Sequence, residues 1–215
     1  MTQILTGTDL INMLERVADA LELQKAELSR LDGEIGDGDH GVTMSIGFTA
    51  VREALTELDP ETINPTVVFN QAAKSFLSAV GGSAGPLYAT AFMRAGSLVK
   101  GQNVVGVEDM RKIVPAMAQG IRDRGKAEIG EKTMLDAWVP AAEAAVASSE
   151  LSIHGALHSA AAAARKGAES TKPMKATKGR SSRLGERSIG VSDPGAVSTA
   201  IILEAMAEAT LEKLS

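Results

Sequence analysis

The sequence predicts an all-α fold, an eight-helix antiparallel up-and-down barrel or bundle. Aromatic residues make up only 3% of the 215 residues, whereas alanine and leucine are abundant. Almost no segment alternates apolar and polar residues as a half-buried strand would, and apolar residues recur at helical spacing. With 44% apolar residues, the chain can bury a core, and its length fits a single domain over residues 1–215.

Helix start and stop signals place the eight helices, in chain order, at 8–29, 41–57, 65–79, 85–99, 107–124, 132–148, 152–171 and 194–213. Three of the starts pair a permissive cap with a proline at the first helical position, namely Asn64–Pro65, Gly85–Pro86 and Asp193–Pro194. The helices have similar lengths and mostly short connections, as an up-and-down bundle requires. Two longer connections, 30–40 and 172–193, are rich in glycine. Long ordered loops in a compact domain commonly carry function.

Composition excludes several classes of function. The chain has no cysteine, which excludes disulfides, thiolate metal sites and a cysteine nucleophile. A net charge of −5 argues against nonspecific binding of nucleic acid, and no nucleic-acid partner is expected. The N-terminal segment lacks the basic start and apolar stretch of a secretory signal, and no window reaches the length of a membrane span. We therefore expect a cytoplasmic protein with no membrane partner.

The first long connection concentrates acidic residues. It places Asp32, Asp37, Asp39 and His40 within a short segment interrupted by glycines. Carboxylates that lie this close repel one another, so a hard cation is the simplest reason to keep them together. An EF-hand calcium loop is excluded because its twelfth position, counted from Asp37, is Phe48 rather than a glutamate. Magnesium shared with phosphate oxygens fits better, although solvated turn or capping aspartates remain an alternative.

A glycine-rich segment after the third predicted helix also fits a phosphate ligand. The stretch VGGSAGPLY over 80–88 surrounds Ser83 and Ala84 with glycines just before a helix, which permits close backbone approach to phosphate. An ordinary helix–helix turn explains this stretch as well. Neither a Walker A lysine nor a strand-to-helix G-x-G-x-x-G accompanies the glycines, so P-loop and Rossmann folds are not indicated.

The second long connection, 172–193, is basic. Against one glutamate, Glu186, it carries Lys172, Lys175, Lys178, Arg180, Arg183 and Arg187. It contains no aromatic residue that could stack on a base, which argues against a nucleic-acid patch. Arginine forks, serines and glycines are what a lid closing over a nucleotide would need, and a disordered basic linker is the alternative.

Four strings together resemble one known family. They read LDGEIGDGDHG, VGGSAGPLY, RGKAEIGEKTMLDAWVP and GRSSRLGERSIGVSDPGA, and they occur in the order and spacing of DhaL, the nucleotide-binding L subunits of bacterial dihydroxyacetone kinase. The resemblance covers the whole chain. The nucleotide domain of fatty acid kinase shares the aspartate segment but would lack the later RGKAE and LGERSIG features, so it ranks lower.

The resemblance implies a barrel that binds ADP or ATP at one end through two Mg²⁺ ions. It implies Asp32, Asp37 and Asp39 as the magnesium ligands. The implied nucleotide contacts are His40, Gly41, Val42 and Thr43 with Ser83 and Ala84 on the phosphate side, Gly125 and Met134 at the adenine, Arg180 on the nucleotide, and Asp193, Pro194 and Gly195 closing the site. Ala84 stands where family members often carry serine, so no hydroxyl contact is expected from that position.

The activity implied is transfer of a phosphoryl group from the nucleotide to dihydroxyacetone held on a separate K subunit. In such a reaction the metals and helix-end amides neutralise charge, and no catalytic base need lie in this chain. The bound ADP would be rephosphorylated by the phosphoenolpyruvate phosphotransferase system through a further subunit, and the chain could be a homodimer within a K2L2-type complex. The alternatives are an ATP-dependent subunit acting on a related ketose such as erythrulose, and a nucleotide-sensing module that binds a transcription factor.

Four other residues are expected to be structural. His154 and His158 have the spacing of a helical metal pair, but no third ligand lies nearby in sequence, so they are expected on a helix surface. Trp138 and Tyr88 are expected as core or interface anchors.

Overall fold

The computed structural model describes residues 4–60, 62–150 and 152–211. Over these residues the chain forms nine α-helices, one 3-10 segment and one pair of very short strands. The elements, in chain order, are β1 (Leu5–Thr6), α1 (Gly7–Leu23), α2 (Lys25–Ile35), α3 (His40–Thr56), α4 (Pro65–Ala79), α5 (Ala84–Leu98), β2 (Val104–Val105), α6 (Val107–Gly125), α7 (Leu135–Ala147), α8 (Ile153–Ser170), the 3-10 segment (Arg180–Ser188) and α9 (Pro194–Ala209).

Eight of the helices form a closed ring. Going around it, α1 packs on α3, each helix from α3 to α8 packs on the next in sequence, and α9 packs back on α1. The helix α2 lies outside this ring against α3 and α9, and β1 pairs antiparallel with β2. The prediction of an all-α, eight-helix up-and-down barrel is therefore confirmed. No helix among the described residues is long and apolar enough to span a membrane.

The predicted helix 8–29 was wrong as a single element. The chain bends at Gln24, whose backbone has φ −94° and ψ 3°, and a separate helix, α2, continues to Ile35 through Gly33. The loop predicted over 30–40 is consequently reduced to residues 36–39. Burial of Leu28 and Ile35, which lie two turns apart on one face of α2, compensates for the low helix propensity of Gly33.

Helix starts marked by proline agree with the sequence. The side chains of Asn64 and Asp193 accept hydrogen bonds from the amides of Val67 and Ala196, at 3.1 Å and 2.8 Å, so α4 and α9 begin at the following prolines. The Gly85 cap is the exception, because α5 begins one residue earlier, at Ala84. The predicted last helix ended at 213, and its residues 212 and 213 lie outside the described residues.

Side chains fill the inside of the ring. Phe48 packs edge-on against Phe76 and Phe92, with ring centroids 5.3 Å and 6.1 Å apart, and a residual cavity of only about 10 Å³ remains beside them. Trp138 and Tyr88 are fully buried, which confirms them as core residues. The core is thus solid, and the larger cavities lie at the ring's end and on its outer surface.

Candidate functional site

A cavity of about 700 Å³ opens at one end of the ring. Helices α3, α5 and α9 begin at this cavity, and the two connections 126–134 and 172–193 cover its other sides. Its lining residues are Asp32, Asp37, Asp39, His40, Thr43, Gly81, Gly82, Ser83, Ala84, Pro86, Leu87, Ile121, Arg124, Gly125, Ala127, Lys132, Thr133, Met134, Leu135, Lys178, Gly179, Arg180, Ser181, Asp193, Pro194 and Gly195. The three glycine-rich segments singled out in the sequence therefore meet in one place.

The three aspartates converge at the mouth of this cavity. One carboxylate oxygen from each of Asp32, Asp37 and Asp39 lies within 4.8 Å of the others. Asp32 belongs to α2 and is only 8% exposed, and its Oδ2 accepts a hydrogen bond from the backbone amide of His40 at 3.1 Å. Burial and, secondarily, the negative charge of Asp32 raise the pKa of the Asp39 carboxyl. A cation would relieve this repulsion, and the all-oxygen donor set suits Mg²⁺.

Arg180 supplies positive charge at the same point. Its guanidinium donates to Oδ2 of Asp39 at 2.9 Å and also pairs with Asp37. The residue opens the 3-10 segment of the second long connection, so this segment reaches across the cavity to the aspartates. The connection 172–193 is folded in this way, with its tip over the site.

The side chain of His40, which lines the cavity, also contacts α9. Its Nε2 lies 2.9 Å from the Oγ of Ser198 in α9. Burial lowers the pKa of His40 to about 4, although the charge of Asp32 opposes the shift. The imidazole is consequently neutral at physiological pH, so it can act as a hydrogen-bonding group and contributes no net charge.

The glycine turn before α5 lies close to Arg180 of the connection 172–193. Gly82 has φ +63°, a left-handed conformation that favours glycine, and a Cβ built on it would lie 4.0 Å from Nη2 of Arg180. Ser83 and Ala84 follow at the start of α5. The first amides of that helix have no intrahelical partners and point towards the cavity end, which provides an anion-binding arrangement.

The opposite side of the cavity is apolar. Gly125 and Met134 lie there with Leu87, Ile121 and Leu135. A Cβ at Gly125 would lie 3.0 Å from the Cδ2 of Leu87, so a side chain at this position would narrow the pocket. Apolar side chains of this kind suit the face of an aromatic ligand.

The start of α9 closes the cavity beneath these groups. Asp193 is buried, and burial raises the pKa of its carboxyl to about 7 against the stabilising amide of Ala196. A Cβ at Gly195 would lie 3.3 Å from the Cβ of Met134. Pro194 and Gly195 therefore bring the backbone of α9 close to the apolar side of the cavity.

Gly41 and Val42 do not line the cavity. A Cβ at Gly41 would overlap the carbonyl oxygen of Lys25 and lie 2.9 Å from the amide nitrogen of Ser29, so this glycine allows α3 to approach α2. The side chain of Val42 is 41% exposed. Neither side-chain position reaches the cavity, and only their backbone amides at the start of α3 are available to a ligand there.

Sequence reasoning missed Lys132. This residue lines the cavity yet is almost fully buried, and its ammonium donates to the carbonyl oxygens of Thr171 at 2.8 Å, Met174 at 3.2 Å and Val191 at 2.5 Å. Burial lowers the pKa of Lys132, while the charge of Asp193 opposes this. The ammonium thus ties residues at both ends of the connection 172–193 to the connection before α7.

A signal for Lys132 was present but ambiguous. The lysine stands among GEKTMLD, where charged residues look solvated. Asp136, four residues later, accepts hydrogen bonds from the amides of Gly130 and Thr133, at 2.5 Å and 2.8 Å. These bonds fold the connection back on itself and direct Lys132 inward, which only the three-dimensional structure reveals.

Comparison with known proteins identifies the family. The model of the DAK2 domain matches residues 34–208. This chain belongs to the DAK2 domain family. It is 40% identical to the "PEP-dependent dihydroxyacetone kinase, ADP-binding subunit DhaL" of Escherichia coli K12, over 97% of this chain and 99% of that protein. It is also 40% identical to the corresponding subunit 1 of Listeria innocua, over 91% and 93%. The predicted DhaL resemblance is confirmed.

Some of the proteins that this chain resembles are longer than it. The L-erythrulose 1-kinase of Mycolicibacterium smegmatis is 32% identical over 93% of this chain but only 35% of its own length. The crystal structure of the dihydroxyacetone kinase of C. freundii in complex with AMP-PNP and Mg²⁺ matches with a TM-score of 0.70 and 28% identity. That match covers 97% of this chain and 35% of the C. freundii chain. The chain therefore spans about one third of these kinases.

Proposed function

We propose that this chain is the ADP-binding subunit of a dihydroxyacetone kinase and passes a phosphoryl group from a bound nucleotide to dihydroxyacetone held on a separate K subunit. The observation that carries the proposal is the meeting of three aspartates, a helix N-terminus and a glycine turn around one cavity with an apolar far side. The names of the full-length relatives support the same function.

Asp32, Asp37 and Asp39 are proposed to hold two Mg²⁺ ions. When bound, the ions would neutralise charge on the phosphate oxygens of the nucleotide. Buried Asp32 is fixed by the His40 amide, whereas the two exposed aspartates can adjust to the ions. Arg180, paired with both of them, would contact the nucleotide from the connection 172–193.

The remaining cavity residues are proposed to position the nucleotide. The first amides of α3 and α5, with Thr43 and Ser83, would donate hydrogen bonds to phosphate oxygens. Gly125 and Met134 would hold the adenine on the apolar side. The start of α9, at Asp193 to Gly195, would close the site. Because the protein mainly orients donor and acceptor in line, no catalytic base is assigned to this chain.

We infer that the phosphoryl donor is the phosphoenolpyruvate phosphotransferase system, acting on ADP that stays bound. Relatives named PEP-dependent and PTS-dependent support this donor. The partners would be a K subunit and a phosphotransferase-system subunit, assembled in the cytoplasm in a complex that could be of the K2L2 type. Because some relatives are erythrulose kinases, a ketotetrose is a second candidate acceptor.

Reconstitution tests the function. The purified chain is mixed with a K subunit and either dihydroxyacetone or erythrulose, with a phosphotransferase-system donor or with ATP. Formation of dihydroxyacetone phosphate with the phosphotransferase-system donor supports the proposal, and product from ATP alone would assign the other donor. Absence of any sugar phosphate would overturn the kinase proposal and favour the nucleotide-sensing alternative. Release of stoichiometric ADP on denaturation, without prior exchange against free ATP, is the expected companion result.

The magnesium ligands can be tested separately. The variant Asp37→Ala should abolish Mg²⁺-dependent ADP binding in calorimetry, because a carboxylate of the cation site is lost. Glu143→Ala removes an exposed carboxylate on α7 far from the cavity and should bind ADP as the unmodified chain does. Retained affinity in Asp37→Ala, or equal loss in both variants, would contradict the assignment.

A further inference from the structure

A second large hollow lies on the outer surface of the ring. This groove of about 560 Å³ runs along α9, between α8 on one side and the bend from α1 to α2 on the other. Its lining residues are Ala20, Leu23, Gln24, Glu27, Leu31, Arg165, Ala168, Glu169, Ser192, Val197, Ile201, Glu204, Ala205 and Glu208. None of them lines the nucleotide cavity, so both could be occupied together.

The floor of the groove is apolar. Val197, Ile201 and Ala205 follow one another at four-residue spacing along α9. Ala20 and Ala168 line the groove beside them with small side chains. A helix that forms part of a ring normally presents polar residues outward, whereas α9 presents this apolar strip to the groove. Ile201 and Ala205 are buried and Val197 is half-buried, so the strip forms the bottom of a hollow that apolar side chains of a partner can fill.

Leu23 extends the apolar surface to the edge of the groove. It is the last residue of α1 and is 81% exposed. Leu23 lines the same hollow as the apolar strip, so the two together form one apolar surface, and such a surface is typical of an interaction site.

The rim of the groove carries negative charge. Glu27 and Glu204 pair with Arg30 and with Arg165, at 2.7 Å and 2.8 Å. The exposed Glu169 on α8 and Glu208 on α9 form no ion pair among the described residues. The rim therefore leaves carboxylates available to a positively charged partner.

Charge also decides between occupants. A second copy of the chain would bring a net charge of −5 to an already acidic rim, so like charges would oppose association. A helix of a partner protein with apolar residues on one face and lysine or arginine on its flanks matches both the floor and the rim.

We propose that this groove binds a basic amphipathic helix of a partner protein. Apolar side chains of that helix, spaced three and four residues apart, would lie on the Val197–Ala205 strip and against Leu23. Its basic side chains would pair with Glu169 and Glu208. The binding surface is separate from the nucleotide cavity but shares α9 with it, because Ser192 in the groove directly precedes Asp193 in the cavity.

A pair of synthetic peptides tests this on the full chain. Each has about 18 residues, enough for a marginally stable helix, with leucines at helical spacing; one carries lysines on the flanks and its twin carries glutamates. In fluorescence anisotropy the lysine peptide should bind at least about tenfold more tightly, and added salt should weaken it. Equal binding of both peptides would overturn the proposal.

Charge reversal locates the binding surface. The double variant Glu169→Lys, Glu208→Lys should weaken the lysine peptide by about tenfold or more. The control Glu53→Lys, Glu143→Lys makes the same charge change at exposed positions on α3 and α7 and should lower affinity far less. An equal effect of both double variants would contradict the location, because it would reveal only an overall charge effect.

Leu23→Ala tests the apolar contribution without a folding cost, since that side chain is mostly solvent-exposed. The variant should bind the lysine peptide several-fold more weakly. Sedimentation of the unmodified chain and of Leu23→Ala tests whether a second copy of the chain occupies the groove. A dimer of the unmodified chain that Leu23→Ala converts to a monomer would overturn the proposal in favour of a second copy as occupant.

Discussion

Replacing Lys132 by methionine is expected to destabilise the protein strongly although it removes a buried charge. Methionine keeps the length of the apolar stem but cannot donate to the carbonyls of Thr171, Met174 and Val191. Thr171 is fully buried, and without the ammonium its carbonyl keeps a single donor, the backbone amide of Met174 at 3.1 Å. The other two carbonyls belong to half-buried residues and can reach water after a small movement.

The magnitude follows from the three hydrogen bonds that are lost. Each is donated by a charged group, and such a hydrogen bond contributes about 1.5–3 kcal/mol. Relief of the cost of burying an ammonium offsets part of the loss. The net expected decrease in the free energy of unfolding is about 3 kcal/mol, which corresponds to a fall in Tm of roughly 6–12 °C for a chain of this size.

Urea unfolding followed by tryptophan fluorescence measures this change, because Trp138 is the only tryptophan and is fully buried. Lys166→Met is the matched control, since that lysine is exposed on α8, and it should change stability by less than about 0.5 kcal/mol. If the free energy of unfolding of Lys132→Met differs from that of the unmodified chain by less than about 0.5 kcal/mol, or equals that of the control, the carbonyl contacts do not stabilise the fold.

Two further substitutions test other features. Burial raises the pKa of Asp193 from 3.8, the value of a free aspartate, to about 7 in the folded chain. Its protonated form therefore stabilises the fold at low pH, and that contribution is lost as pH rises from about 4 to 7, by up to about 4 kcal/mol. Asp193→Asn keeps a capping oxygen and should remove this decline in unfolding experiments across that range; an unchanged pH profile would refute the shift. Gly167→Ala should cost about 3 kcal/mol or more, because the added Cβ would overlap the carbonyl of Asp136 and lie 2.9 Å from the Cα of Ala137. Gly81→Ala, where a Cβ meets nothing within 4 Å, is its control in thermal unfolding, and equal stability of the two variants would contradict the packing argument.

Local signals accounted for most of the ring. Proline after a capping residue defined the starts of α4 and α9, because the cap and the fixed proline φ are properties of adjacent residues. The bend at Gln24 carried no comparable signal: neither glycine nor proline marks it. It forms because α2 leaves the ring to pack outside α3 and α9, which is a tertiary cause that local propensity does not contain.

Some residues of the candidate site could be predicted from the sequence, and others could not. The aspartates and glycines were visible because clustered like charges and glycines before a helix have few structural explanations. The role of Lys132 was not visible, because its three acceptors are backbone carbonyls of residues about 40 to 60 positions away. A lysine in a polar segment looks the same whether it faces solvent or carbonyls.

The order of helices around the ring has a consequence for how the chain folds. Between neighbouring helices of the ring, every interface but one joins helices that are near in sequence. The exception is the contact of α9 with α1, which spans nearly the whole chain together with the smaller contacts of α9 with α2 and α3. Closing so long a loop costs the most entropy, so we expect this seam to form last in folding and to open first in unfolding. Substitutions there should accelerate unfolding more than they slow folding. Because the cavity joins α3 to α9 through His40 and Ser198, a ligand bound there would also slow the opening of the ring.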